Sequence, residues 1–208
     1  HRGLGVLSAY AKLVGSLYFA LILFALLVLV PALVIVKAPV RRFFAAIKEP
    51  VILAFSTASS EAALPRALEK IVEYGVPEEV AGFVIPAGYS FNLDGSTLYI
   101  ALASLTIAQA AGIDMPLSTQ ILMMLAFMLT SKGVAGVPRA ALVIIAAGCA
   151  AFNLPGEAGV AMILAVDELM DMARTSINVM GNCVASVVVA RWEGVFNPSA
   201  SEASASRR

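Results

Sequence analysis

Residues 158–190 read AGVAMILAVDELMDMARTSINVMGNCVASVVVA, a stretch apolar enough to cross a membrane that nonetheless carries Asp167, Asp171, Arg174, Asn178 and Asn182. The steps between these five residues are four, three, four and four. At about 100° per residue they fall within one narrow arc of a helix, with Thr175 at its margin. An ionisable group facing hydrocarbon costs on the order of several kcal/mol, so the stripe must face protein or a water-filled cavity. Such a stripe marks a path for a solute or ion.

The whole chain fits that reading. Its 208 residues are 60% hydrophobic and 13% charged, with a mean hydropathy of +0.90, the composition of a polytopic membrane protein. The formal net charge is zero, which gives no electrostatic ground for nucleic acid as a partner. Cys149 and Cys183 lie in apolar surroundings without a CxxC or Cys/His cluster, so neither a disulfide framework nor a zinc site is expected. The single histidine, His1, removes Ser-His nucleophilic arrangements and most histidine-based metal sites. No Gly-rich phosphate loop occurs. The chain is therefore expected to be no enzyme and to hold no cofactor or resident metal. It enters a span within a few residues of His1 without the pattern of a signal peptide, and is expected to be the C-terminal part of a longer protein.

Between Lys12 and Lys37 there is no charge, and Leu17 to Val36 gives about 30 Å of helix, enough to span, with a bend expected at Pro31. A basic segment with Lys37, Arg41, Arg42 and Lys48 follows, then a short apolar run from Val51 to Phe55. That run leads into the small, polar stretch Ser56 to Pro65, after which the chain turns charged from Arg66 to Glu79. A half-span, a polar tip and a return predict a re-entrant hairpin. Val80 to Phe91 is apolar, Asn92-Leu93-Asp94-Gly95-Ser96-Thr97 interrupts it, and Leu98 to Ala111 resumes, the pattern of a spanning helix unwound at mid-membrane. Leu117 to Leu129, the tip from Thr130 to Pro138, and Ala140 to Ala151 predict a second hairpin before the polar-striped helix. Hairpin plus interrupted span thus occurs twice.

Placing Lys37 to Lys48, Arg66 to Lys70 and Arg191 to Arg208 on one side collects every strongly basic connection there, while 112–116 and 152–157 contain no Lys or Arg. The basic side is cytoplasmic by the positive-inside rule, which makes the two repeats inverted within a multi-pass plasma (inner) membrane protein. The Ser/Ala-rich 197–208 are expected as a disordered tail.

Four motifs stand in this order: Ser59-Ser60-Glu61 through Pro65; Asn92-Leu93-Asp94-Gly95-Ser96; Ser131-Lys132-Gly133 through Pro138; and Asp171-Met172-Ala173-Arg174-Thr175 with Asn178 and Asn182. Together they closely resemble the dicarboxylate/amino acid:cation symporter family, which includes the glutamate transporters, and most of all its bacterial proton/glutamate branch. The resemblance covers nearly the whole chain and implies that residues 1–196 are the C-terminal part of a transport domain. It implies an all-α membrane protein with the inverted hairpin repeat, working as an elevator-type secondary active symporter of glutamate and aspartate. It also implies a homotrimer assembled in the lipid bilayer through a scaffold that this chain does not include.

Arg174 offers a planar fork for a carboxylate. The resemblance implies that it holds the substrate's side-chain carboxylate, that Asp171 binds the amino group, that Thr175 and Asn178 complete the pocket, and that Ser59, Ser60 and the backbone of Val137 line it. The alternative for Asp171 and Arg174 is an internal ion pair that only neutralises the bundle; Asp167 is open between a site role and a structural acceptor. Gly133 and Gly136 are expected as hinges of the second tip, and Lys132 has no assigned role. Sodium-coupled relatives place an aspartate where this chain has Asn182, beside oxygens matching Gly88, Asn92 and Asn178. Asn182 keeps an oxygen but loses the charge that offsets cation desolvation, so the coupling ion is expected to be H+ rather than Na+. Glu61 and Asp94 are the titratable groups left, with Glu61 the preferred carrier.

The chain departs from the family at Ala58, where many relatives have arginine, and at Arg139, where glycine is usual. The competing readings are a C4-dicarboxylate:cation symporter, disfavoured by Asp171, and a non-transporting membrane fragment.

Overall fold

The computed structural model describes residues 2–130 and 140–198, and all regular structure among them is helical. The chain opens with a long rod: α1 (Arg2–Phe24), a π-helical segment (Ala25–Leu29) and α2 (Val30–Ile35). Leu7–Ile35 within it is long and apolar enough to cross a membrane, at a hydropathy of 2.9. The rod begins well before the Leu17 read from sequence, because exposed Lys12 is no obstacle to a helix. Pro31 lacks an N–H to return to the preceding turn, and the π segment sits directly before it, with the Val30 N–H reaching Ala25 O. The inserted residue also resets the rod's facing. In an uninterrupted α-helix the eight steps from Leu21 to Leu29 overshoot two turns by about 80°, and one extra residue takes back about 100°. Leu13, Leu17, Leu21, Leu29, Leu33 and Val36 are accordingly all buried.

Helices α3 (Val40–Thr57) and α4 (Ser60–Tyr74) pack on each other around a tip of two residues. Ala58 takes the left-handed conformation, φ +48°, and Ser59 caps α4 by accepting the Ala62 N–H at 3.2 Å. The tip is tighter than the Ser56–Pro65 expected, with Pro65 lying inside α4. Next come α5 (Glu78–Phe91) and α6 (Asp94–Ala110), separated by Asn92 and Leu93 alone. Helices α7 (Leu117–Thr130) and α8 (Ala140–Ala151) pack together and precede the 37-residue α9 (Gly156–Trp192).

Contacts along α9 fix the directions of the other rods. Tyr10 and Tyr18 donate their hydroxyls to Met162 O and Leu169 O, and Arg191 Nε reaches Val36 O at 2.8 Å, so the first rod runs parallel to α9. Gly88 lies against Asn182, Gly95 against Arg174 and Gly159 against Ile107, so α5 and α6 run antiparallel to α9, and the break does not interrupt that register.

Burial divides along these rods into two cores. One collects Leu29 to Val36, α3, α4, α5 and α9 from Val179 onward; the other collects Leu13 to Leu21, α6, α7, α8 and α9 up to Ile177. The π segment, the Asn92-Leu93 break and the polar stripe of α9 all lie at the seam between them. Beyond α9 the chain straps the base of the first core: Phe196 packs on Tyr74 with ring centroids 5.6 Å apart, and the Asn197 N–H bonds to Gly75 O at 3.0 Å. Asn197, which the sequence placed in the tail, is thus tied to the α4–α5 turn.

Candidate functional site

Each polar residue of the α9 stripe is held inward at the seam. Asp167, Arg174, Thr175, Asn178 and Asn182 are buried, and Asp171 is 13% exposed. Arg174 organises the upper part. Its Nε donates to Asp171 Oδ1 at 2.9 Å, its Nη1 to Asp167 Oδ1 at 3.3 Å, and its guanidinium carbon stands 4.2 Å from the centre of the Tyr99 ring. Tyr99 donates its hydroxyl to the same Asp167 oxygen at 2.6 Å, and Thr175 donates to Asp171 Oδ1 at 3.1 Å. The guanidinium is therefore fixed from three sides, by two carboxylates and a π face, and these two contacts use two of its five N–H groups.

The middle of the stripe holds α6 in place. No side chain at Leu93 caps this helix. Instead Asn178 Oδ1 accepts the N–H groups of Gly95 at 2.8 Å and Ser96 at 3.4 Å, while its Nδ2 donates to Ser96 Oγ at 3.0 Å. Asp94 opens α6 as a half-buried acidic group, favourable at the positive end of a helix, and its carboxylate packs against Gly181. A Cβ on Gly95 would run into the backbone of Arg174, so the close approach of α6 to α9 depends on glycine there.

At the lower end Asn182 Oδ1 accepts from Asn92 Nδ2 at 3.0 Å and lies against the Cα of Gly88, whereas Asn182 Nδ2 is buried without a partner among the described residues. Of the residues expected around a coupling site, Gly88, Asn92 and Asn182 are thus brought together. At the first tip Ser59 Oγ accepts the Ala62 N–H and keeps its own hydroxyl proton to donate, Ser60 is half-buried at the start of α4, and Glu61 is exposed in that helix's first turn. Val137 lies outside the described residues, as do Lys132, Gly133, Gly136 and Arg139. Among the described residues no cluster of metal-ligating side chains occurs.

Tyr99 is the residue that sequence reasoning missed. Its signal was a tyrosine within the apolar arm Leu98 to Ala111, where a buried hydroxyl needs a partner. Ser176, which donates to Val51 O at 3.3 Å and to Met172 O at 3.0 Å, ties α3 to the back of the stripe and was equally unremarked.

The profile of the sodium:dicarboxylate symporter family matches residues 1–192. The chain is 46% identical over 200 residues to a proton/sodium-glutamate symport protein of Bacillus subtilis, covering 96% of this chain and 46% of that protein. It is 46% identical over 195 residues to a proton/glutamate-aspartate symporter of Escherichia coli, covering 94% and 44% respectively. A C4-dicarboxylate transport protein of Cupriavidus taiwanensis is 42% identical over 191 residues, covering 92% and 44%. The chain spans just under half the length of these relatives.

Proposed function

The chain belongs to the sodium:dicarboxylate symporter family, and from that premise we propose that it supplies the substrate-carrying part of a proton-coupled symporter for glutamate and aspartate. The observation that carries the reading is Arg174, a buried guanidinium held between Asp171 and Asp167 at the seam. A dicarboxylic amino acid presents two carboxylates and an ammonium group. Arg174 takes the side-chain carboxylate through its planar fork, Asp171 takes the ammonium, and Thr175 and Asn178 complete the pocket with Ser59, Ser60 and Val137. The internal Asp171–Arg174 pair is compatible with this role, because it holds both recognition groups ionised and correctly spaced until the ligand exchanges for them.

The architecture we propose is an inverted repeat of re-entrant hairpin plus interrupted helix. It is supported by the two cores, each built from a helix pair, half of the broken span and half of α9. The parallel course of the first rod and α9 puts Lys37 and Arg191 at one end, in keeping with a basic cytoplasmic face of a multi-pass inner-membrane protein. Elevator-type movement and a homotrimer formed through a scaffold outside this chain complete the proposal.

The coupling ion is H+ rather than Na+. Asn182 has no charge to offset the desolvation of a bare cation, and its Oδ1 is already engaged by Asn92. Glu61, the preferred one, and Asp94 are the carriers expected from sequence.

The test is uptake of labelled aspartate, glutamate and succinate into proteoliposomes containing the full-length polypeptide, with pH and sodium gradients imposed separately. Saturable, counter-exchangeable uptake of the amino acids under a proton gradient alone is expected. Preference for succinate makes the protein a C4-dicarboxylate symporter, a strict sodium requirement removes proton coupling, and purely passive flux overturns the transporter reading.

A further inference from the structure

A carrier that moves an anionic substrate together with a proton needs a group that binds the proton more tightly once the substrate has arrived. Three carboxylates are candidates beyond Asp171. Glu61 is exposed in the first turn of α4 and takes no part in the Asp171–Arg174–Asp167 contacts that a substrate carboxylate enters. Asp94 packs beside Gly181 on the far side of Asn178, away from the Arg174 contacts that a substrate carboxylate disturbs. Asp167 is different. It is 1% exposed, its Oδ1 receives both the Tyr99 hydroxyl and Arg174 Nη1, and its Oδ2 is buried with no partner among the described residues. A buried carboxylate with one bare oxygen is sustainable as an anion only while an opposite charge stays against it.

We infer that Asp167 carries the coupling proton, accepting it on Oδ2 when a substrate carboxylate draws Arg174 away. This assignment rests on the reading of Arg174 as the group that binds the substrate's side-chain carboxylate. In the step, the hydrogen bond from Arg174 Nη1 to Asp167 Oδ1 breaks and one to the substrate forms. Asp167 is left buried beside Tyr99 without its counter-charge, and a proton from the aqueous side forms an O–H bond on Oδ2. No other covalent bond changes. The negative charge of the substrate and the positive charge of the proton enter together, so the total charge of the buried cluster is conserved. Release reverses both exchanges.

The surroundings support a single proton site. From α6 the titratable group facing Asp167 is Tyr99. From α1 there are Tyr10 and Tyr18, whose hydroxyls donate to Met162 O and Leu169 O, and Lys12, which is exposed. Helix α8 contributes Cys149, which belongs to the second core. On α9 itself Glu168 is exposed, leaving Asp171 and Arg174. Arg174 is thus the one cation paired with buried Asp167 among the described residues.

The experiment is proton release or uptake on binding aspartate, followed with a pH indicator in weakly buffered detergent solution of the full-length polypeptide. Wild type is expected to take up roughly one proton per aspartate bound, as reciprocal linkage requires. Asp167→Asn is expected to bind aspartate with no proton uptake, and Glu61→Gln to take protons up still. Uptake that persists in Asp167→Asn, or that disappears in Glu61→Gln, overturns the assignment while leaving proton-coupled symport standing. No uptake by wild type overturns both. Infrared difference spectra with ¹³C-labelled aspartate give a readout that does not depend on Asp167→Asn folding. A carboxylic acid band is expected to appear on binding and to move to higher frequency in Tyr99→Phe, where the acid carbonyl loses its hydrogen bond. A band unmoved in Tyr99→Phe counts against Asp167 as its source.

Discussion

The Gly95 N–H donates to Asn178 Oδ1 at 2.8 Å, so helix α6 is capped by a side chain 83 residues further along the chain. The amide that faces the proposed substrate also fixes where the second half of the broken helix begins. Asn178→Ala removes this acceptor and leaves the first amides of α6 unpaired in a buried place, at a cost of about 1–2 kcal/mol. Asn178→Asp keeps the acceptor for both α6 amides; it loses the donation from Nδ2 to Ser96 Oγ, whose hydroxyl can turn to donate instead, and its buried charge sits at the favourable positive end of α6. Thermal unfolding in detergent is expected to fall further for Asn178→Ala than for Asn178→Asp. The reverse order removes the capping role.

Arg174→Ala is expected to abolish binding of acidic substrates, since a charge-assisted hydrogen bond contributes about 1.5–3 kcal/mol and the fork makes more than one. Asp171→Ser is expected to weaken aspartate far more than succinate, which has no ammonium group. Equal losses for the two ligands in a competition-binding assay eliminate Asp171 as the ammonium partner.

Gly95 and Gly82 make a paired comparison. A Cβ at Gly95 meets the backbone of Arg174, which no rotamer change relieves, whereas a Cβ at Gly82 meets nothing within 4 Å. Gly95→Ala is expected to cost about 1–3 kcal/mol of stability and to suppress uptake. Gly82→Ala, inside α5, is expected to stabilise slightly through its helix propensity. Matching melting temperatures for the two variants contradict the close approach of α6 and α9.

Asn182→Asp places a charge in a fully buried position, where Asn92 is its one side-chain hydrogen-bond partner among the described residues. The variant is expected to melt lower than wild type without sodium and to recover as sodium is added, by about 2.7 kcal/mol at a concentration one hundred times the dissociation constant. Wild type is expected to be insensitive to sodium. A sodium-dependent melting temperature in wild type removes the argument for proton coupling that rests on Asn182.

The base offers a fifth site for substitution. Gly75 has φ +118°, and its Cβ position is filled by the backbone of Asn197, so Gly75→Ala is strained twice and is expected to loosen the strap. Arg191→Ala, which removes the contacts to Val36 O and Lys37 O, is expected to act on the same region. Both variants are expected to speed tryptic cleavage after Lys37 relative to wild type. Unchanged cleavage in both means the strap does not protect that linker.

The α9 stripe was legible because a step of three or four residues defines one helical face and because polar groups in an apolar run have nowhere else to go. The break at Asn92 was legible from its loss of apolar character, but its length was not. Asp94 to Thr97 are polar yet helical, since Asn178 caps them from another element, and sequence spacing carries no trace of a partner 83 residues away. Tyr99 escaped for the same reason, its meaning residing in Asp167 and Arg174. The π segment was hidden because Pro31 announces a lost hydrogen bond without saying how the helix repairs it. At the first tip, small polar residues marked the turn, but only the geometry of Ala58 and Ser59 told which two of them leave the helix.

The parallel alignment of the first rod with α9 has a consequence for biosynthesis. The hydroxyl of Tyr10 is accepted by Met162, 152 residues later. A ribosome adding about 5–20 residues per second makes the acceptor roughly 8–30 s after the donor. Over that interval the leucine face of the first rod lies without the α9 partners it has in the finished fold, and its two tyrosines must find other acceptors. The early helix must therefore persist in the bilayer, aided by its own hydrophobicity, before α9 is made. The uncharged run from Leu13 to Val36 provides for that, and a charge placed on its buried leucines would be felt first during insertion rather than in the finished protein.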